Sequence, residues 1–292
     1  MPFRTVGLIA ALALIWGSGF FWIRLSLDGF SPVQLTFARL ALGALVLAIV
    51  VTARRLRWPR GKRVWGHLTV AALISNAIPY GLFAYAEQSV PSSLAGSLNA
   101  TTPLWTAVIA FCVGADRPMG ARRIVGLLVG FAGAVVLLSP WNSDHPGTVP
   151  GTLACIGASI SYGLSYVYQA RYLTNRGLSP LVLAAGQLAA STVILAIPLA
   201  IAGDQSIHLT VVPVMALLIL GVLGTGLAYV INFALIASEG ATGASVVTYL
   251  VPVTAALLGV AILGEPWTLL SAAGLVAILA GVYMARRRPR IR

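Results

Sequence analysis

The chain has 292 residues, of which 59% are hydrophobic and 9% charged, against about 25% charged residues in a soluble domain. That balance excludes a soluble globular protein. The formal net charge of +12 points to nucleic acid or to an acidic membrane surface until the positions of the charges are known.

A helix needs about 20 apolar residues to cross a bilayer, and ten apolar runs follow one another. They are Val6 to Leu25, Ser31 to Val51, His67 to Ala86, Ser92 to Gly114, Arg123 to Pro140, Gly151 to Ala170, Pro180 to Ala202, Val212 to Ile236, Thr242 to Leu263 and Thr268 to Ala285, numbered here as spans 1 to 10. The loops between them are short and leave no room for a separate soluble domain. Span 1 follows Arg4 as a secretory signal would, but its apolar stretch of about 20 residues exceeds the roughly 7 to 15 of a signal, so it reads as a membrane helix. Cys112 and Cys155 fall inside spans without metal-ligand spacing and read as small apolar packing residues. No metal or cofactor is expected.

With the N-terminus in the cytoplasm, every one of the 19 basic residues except Arg24 and Arg39 falls on the cytoplasmic side. The largest group is Arg54, Arg55, Arg57, Arg60, Lys62 and Arg63 between spans 2 and 3. The positive-inside rule then puts both termini in the cytoplasm. The net charge is a topology signal, and a nucleic-acid partner is not expected.

The sequence repeats internally. Ser31, Pro32 and Leu40 recur as Ser179, Pro180 and Leu188, and Trp16, Gly17, Phe20 and Trp22 are answered by Tyr162, Gly163, Tyr166 and Tyr168. Ala95, Pro103 and Asp116 match Ala244, Pro252 and Glu265 at an offset of 149, and Gly126 and Gly133 match Gly274 and Gly281 at 148. Five spans per copy is an odd number, so the second copy enters the membrane from the opposite side. The expected fold is an all-α polytopic membrane protein of ten transmembrane helices in two inverted five-helix repeats, residues 1–147 and 148–292. Inverted repeats belong to secondary transporters, because two such copies can exchange conformations and expose one site to either side.

Trp16-Gly-Ser-Gly-Phe in span 1, Phe37-Ala-Arg-Leu in span 2, Asn99-Ala-Thr-Thr-Pro-Leu-Trp in span 4, and Thr248-Tyr-Leu-Val-Pro-Val followed by Leu263-Gly-Glu-Pro at span 9 together resemble the EamA family of the drug/metabolite transporter superfamily. Gly114-Ala-Asp-Arg-Pro stands where that family commonly has a Gly-Glu pair, with the acidic side chain kept. The resemblance covers the whole chain. It implies a ten-helix carrier with a central cavity that exports amino acids or other small metabolites across a bacterial inner membrane.

Polar groups in lipid are costly and should face the protein interior or a watery cavity. Span 3 carries Asn76, Tyr80, Phe83 and Glu87 along one helical face, and span 8 carries Thr225, Tyr229, Asn232 and Ile236 at the same offset of 149. Spans 4 and 9 pair Gly96, Asn99 and Pro103 with Ser245, Thr248 and Pro252. Each proline removes a backbone hydrogen bond and bends its helix. Spans 1 and 6 add the aromatic residues Trp16, Phe20, Tyr162 and Tyr166. The residues expected to contact a small-molecule substrate are Trp16, Asn76, Tyr80, Asn99, Tyr162, Tyr166, Tyr229, Asn232 and Thr248, with interhelical packing as the competing explanation.

Arg39 is the only basic residue well inside a span, where burial costs on the order of 3 kcal/mol. Two kinds of role are open to it: structural, bonding carbonyls or clasping the repeats together, or functional, attracting an anionic substrate group or coupling to Glu87. Its equivalent is Gln187. Glu87, at the outer end of span 3, is the candidate for a gate that uses protons as coupling ion. Pro103 and Pro252 complete the gating or structural set. His67, His145 and His208 lie at span ends or in loops, and no carboxylates cluster within a span. An integral-membrane enzyme is therefore not expected. The alternative to a carrier is a non-transporting or channel-like membrane subunit.

Overall fold

The computed structural model describes residues 3–86, 89–90, 92–114, 120–139, 141, 148–201, 206–263 and 268–286. Among them every regular element is helical. Five stretches are long and apolar enough to cross a bilayer: Arg4–Leu27, Pro32–Ala53, Ala121–Leu138, Pro180–Ile201 and Val211–Leu258. Gly240 divides the last of these, at φ 75° and ψ 178°, a conformation open to glycine because it lacks Cβ. Leu269–Ala285 is a shorter apolar helix.

Spans 2, 5, 6, 7 and 10 are single helices over their described residues: α3 (Pro32–Ala53), α8 (Ala121–Leu138), α9 (Val149–Tyr172), α10 (Pro180–Ile201) and α14 (Leu269–Arg286). The others are interrupted. Span 1 is α1 (Phe3–Gly17) and α2 (Gly19–Leu27), and span 4 is α6 (Ser92–Asn99) and α7 (Thr102–Cys112). In span 3, a π-helical turn at Leu73–Ala77 joins α4 (Lys62–Ala72) to α5 (Ile78–Ala86). In span 8, a second π turn at Val222–Leu227 joins α11 (Val211–Gly221) to α12 (Ala228–Ser245). A 3₁₀ turn at Val246–Tyr249 then leads into α13 (Leu250–Leu263).

The Ser-Pro pairs that begin the repeat match are helix starts. Ser31 and Gln34 form a reciprocal capping box on α3, with Ser31 N–H donating to Gln34 Oε1 at 2.9 Å and Gln34 N–H donating to Ser31 Oγ at 3.3 Å. At the equivalent place Val182 N–H donates to Ser179 Oγ at 3.4 Å. Proline at the first helical position costs no hydrogen bond, because that N–H would have no partner in any case.

The chain folds as two compact units, Met1–Tyr80 with Tyr168–Ser238, and Gly81–Val167 with Glu239–Arg292. The first takes one segment from residues 1–147 and one from 148–292, and in the second the segment Gly81–Val167 runs across that boundary. In the first unit α3 packs along α10, and Leu40, Leu68, Leu183, Leu188 and Phe233 form a fully buried core. In the second unit α8 packs along α14 around Leu127, Ala134, Tyr249 and Ile278. Glycine makes that approach possible: a Cβ on Gly133 would lie 2.6 Å from Ile278 N, and one on Gly274 would lie 2.8 Å from Leu137 N.

The outer faces are apolar. Leu45 and Ile49 on α3 are 57% and 59% exposed, and their equivalents Val193 and Ile197 on α10 are 72% and 63% exposed. Left in water, each would forgo about 1.5–3 kcal/mol of burial energy. Hydrocarbon contact removes that cost.

Candidate functional site

The two π turns sit at equivalent places, Leu73 and Val222 being 149 residues apart. A π turn inserts one extra residue into the helical ladder, and such turns are frequent at functional sites. Each holds one buried polar side chain from the matched set, Asn76 in the first and Thr225 in the second, both at 0% exposure.

A polar side chain from a neighbouring helix reaches each of them. Gln187 on α10 donates through Nε2 to Asn76 Oδ1 at 3.0 Å, and Arg39 on α3 donates through Nε to Thr225 Oγ1 at 3.1 Å. Arg39 and Gln187 are themselves equivalent residues. The same clasp is thus built twice, once with an amide and once with a guanidinium.

The first clasp is the more elaborate. Ser191 Oγ also donates to Asn76 Oδ1, at 3.1 Å, and Asn76 Nδ2 donates to Tyr229 Oη. Tyr229 Oη in turn lies 3.4 Å from Ser75 O, to which it donates. At the second clasp Thr225 Oγ1 donates to Leu220 O at 3.0 Å. The Arg39 guanidinium stands 5.5 Å from the centre of the Tyr80 ring, within the range of a cation–π contact. Arg39 and Tyr80 are partly exposed, whereas Gln187, Ser191 and Tyr229 are buried.

Among the described residues, Gln187 Oε1 and Asn232 Oδ1 are buried acceptors without a donor. An unmet buried acceptor costs about 1–3 kcal/mol. Water or the donor groups of a polar solute would satisfy them. The first unit therefore holds a cation, phenol hydroxyls and the Gln187 amide oxygen around the clasps, and the Asn232 amide oxygen elsewhere along α12.

Of the residues expected from sequence, Trp16, Arg39, Asn76, Tyr80, Tyr229 and Asn232 fall in the first unit. Arg39 is a clasp there, and Asn76 is bonded on both sides. Trp16 lies in α1, partly buried. Asn99, Pro103, Tyr162, Tyr166, Thr248 and Pro252 fall in the second unit. Glu87 lies outside the described residues, as do Asp116, His145 and Glu265.

In the second unit the prolines sit where spans 4 and 9 are broken. Pro103 opens α7 and Pro252 lies in the first turn of α13. The Leu98 carbonyl just before the first break accepts from Ser159 Oγ of α9 at 2.9 Å, so the break leaves no orphan there. Asn99 Oδ1 accepts from Thr102 Oγ1 at 3.4 Å, and Thr248 Oγ1 donates to Ser245 O at 2.8 Å. The Tyr162 ring stacks on Phe83 with centroids 6.2 Å apart, and Tyr166 is buried.

Ser75 and Ser191 are cluster members that the sequence reading did not single out. The offset that pairs Arg39 with Gln187 also pairs Gly43 with Ser191, and following it one turn further reaches the second serine. His67, placed at a span end, lies inside α4 with Nδ1 2.6 Å from Tyr168 Oη and its ring stacked on Tyr172 at 4.9 Å.

The model of the EamA-like transporter family matches residues 4–139 and again 149–287. The uncharacterized inner membrane transporter YedA of Escherichia coli (strain K12) is 30% identical, over 91% of this chain and 86% of its own length. The uncharacterized transporter YvbV of Bacillus subtilis (strain 168) is 25% identical, over 98% of this chain and 93% of its own length. One solved crystal structure matches in fold with a TM-score of 0.82, covering 96% of this chain and 97% of that one at 22% identity.

Proposed function

The chain belongs to the EamA-like transporter family, and from that premise we propose that this multi-pass membrane transporter is a secondary-active carrier exporting small metabolites such as amino acids by alternating access. The observation that carries the reading is the pair of π turns at equivalent positions, each clasped from an equivalent helix. Two near-equivalent packings of one motif are what inverted repeats need in order to exchange roles. Interrupted helices supply the backbone and side-chain groups for such a site, since irregular backbone within a membrane is tolerated where it lines protein or water.

Solute contact is assigned to Trp16, Asn76, Tyr80, Tyr229 and Asn232 in the first unit and to Asn99, Tyr162, Tyr166 and Thr248 in the second. Pro103 and Pro252 bend their spans, and Glu87 is assigned to a proton-responsive gate. Ten crossings in two inverted repeats, residues 1–147 and 148–292, put both termini in the cytoplasm. The name of the Escherichia coli relative supports an inner-membrane location.

The test is flux of a metabolite panel in proteoliposomes, with and without a pH gradient. Tyr80→Ala and Tyr229→Ala are each expected to lower flux at least tenfold or to change which metabolites move. If both left rate and preference unchanged, the solute assignment would be wrong. No flux of any metabolite through well-folded protein would favour the non-transporting alternative.

A further inference from the structure

Arg39 and Gln187 do the same mechanical job from equivalent positions, each donating one hydrogen bond to the π turn of the other half. Gln187 does so at 0% exposure, while Arg39 is a partly exposed residue. A neutral side chain is therefore enough for the clasp, and the positive charge at position 39 is surplus to it. That surplus is costly inside an apolar span, on the order of 3 kcal/mol. Among the described residues Arg39 has Nε committed to Thr225 and the Tyr80 ring beside it, and it meets no carboxylate.

Building on the carrier reading, we infer that Arg39 is a specificity-determining residue that reads a carboxylate on the transported solute. With Nε held by Thr225, the two terminal nitrogens of the planar fork match the two oxygens of a carboxylate. The Tyr80 ring lies beside the guanidinium, its centre 5.5 Å from Cζ. Lysine at this place would offer a point charge without that fork. Glutamine would reproduce the clasp as it exists at position 187 and remove only the charge.

The experiment uses the purified full chain and matched solute pairs that differ only at the carboxylate: L-amino acids with their amides, and small monocarboxylic acids with their carboxamides. Ligand-dependent thermal stabilisation in detergent reads binding, and proteoliposome flux reads transport. Wild type is expected to be stabilised by at least one carboxylate and not by its amide. Arg39→Gln is expected to melt with wild type in the absence of solute and to lose at least tenfold in carboxylate affinity, with Arg39→Lys between the two.

Wild type binding no carboxylate, or binding acid and amide alike, would overturn the inference. So would a carboxylate preference that survives in Arg39→Gln. A large loss of unliganded stability in Arg39→Gln would overturn it as well, because the amide would then not suffice for the clasp. Carboxylate binding that depends on Arg39 without flux of any solute would instead overturn the carrier reading and leave the recognition standing.

Discussion

Each compact unit packs one helix along its equivalent from the other half, α3 on α10 in the first and α8 on α14 in the second, but the two seams are made of different material. The first unit joins its halves with side-chain hydrogen bonds at Asn76, Gln187, Thr225 and Arg39, beside one glycine approach, Gly43 against the backbone of Gly221 and Gly226. The second joins them by backbone meeting backbone at Gly126, Gly130, Gly133, Gly274 and Gly281. Hydrogen bonds between membrane helices average about 0.6 kcal/mol, and a hydroxyl or amide can trade one partner for another. A glycine contact has no second arrangement, because any separation forfeits dispersion along its whole length. The polar part of the first seam can therefore trade partners at small cost, whereas the second seam rests mainly on close backbone packing.

The largest effect is expected from Gly281→Leu. The Cβ alone would run into the backbone of Gly130 and Gly126, which cannot rotate aside as a side chain would. Overpacking of this kind costs about 3 kcal/mol or more. The variant should show little folded protein after detergent extraction, read by size-exclusion recovery. Recovery at the wild-type level would mean that the second seam is as adaptable as the first.

Asn76→Ala should come next. It removes the acceptor of Gln187 Nε2 and the donor to Tyr229 Oη, while Ser191 Oγ retains its bond to Gln187 O at 2.9 Å. Losing buried partners of this kind costs about 2 kcal/mol. The protein should still fold, with a measurably lower thermal midpoint in detergent. A midpoint unchanged from wild type would show that the first seam is held by apolar packing instead.

How much of this was legible beforehand follows from what a period can encode. The Ser31-Pro32 and Ser179-Pro180 starts were readable because capping is local chemistry within four residues. The pairing of Asn76 with Thr225 and of Tyr80 with Tyr229 was readable from a constant offset. The π turns were not, because a search at 3.6 residues per turn assumes an unbroken ladder. It therefore ran Asn76, Tyr80 and Phe83 along one unbroken helix, whereas Asn76 lies in the π turn and Tyr80 and Phe83 lie in α5 beyond it. The reach of Arg39 to Thr225, 186 residues away, depends on which helices meet, and no local pattern records that.

The smallest effect separates the two clasps themselves. Thr225→Val keeps the side-chain shape and removes the oxygen that accepts from Arg39 and donates to Leu220 O. Arg39 is partly exposed where Gln187 is fully buried, so water can more readily replace Thr225 as the partner of its freed N–H. The loss should therefore stay at about 1 kcal/mol or less, near the value of a single hydrogen bond, and below the loss at Asn76, whose partner Gln187 is fully buried. Thermal midpoints of Thr225→Val and Asn76→Ala measured side by side decide the order. An equal or larger drop for Thr225→Val would mean that the guanidinium clasp is sealed from water as tightly as the amide one. The exposed charge that distinguishes position 39 from position 187 would then lose its physical basis.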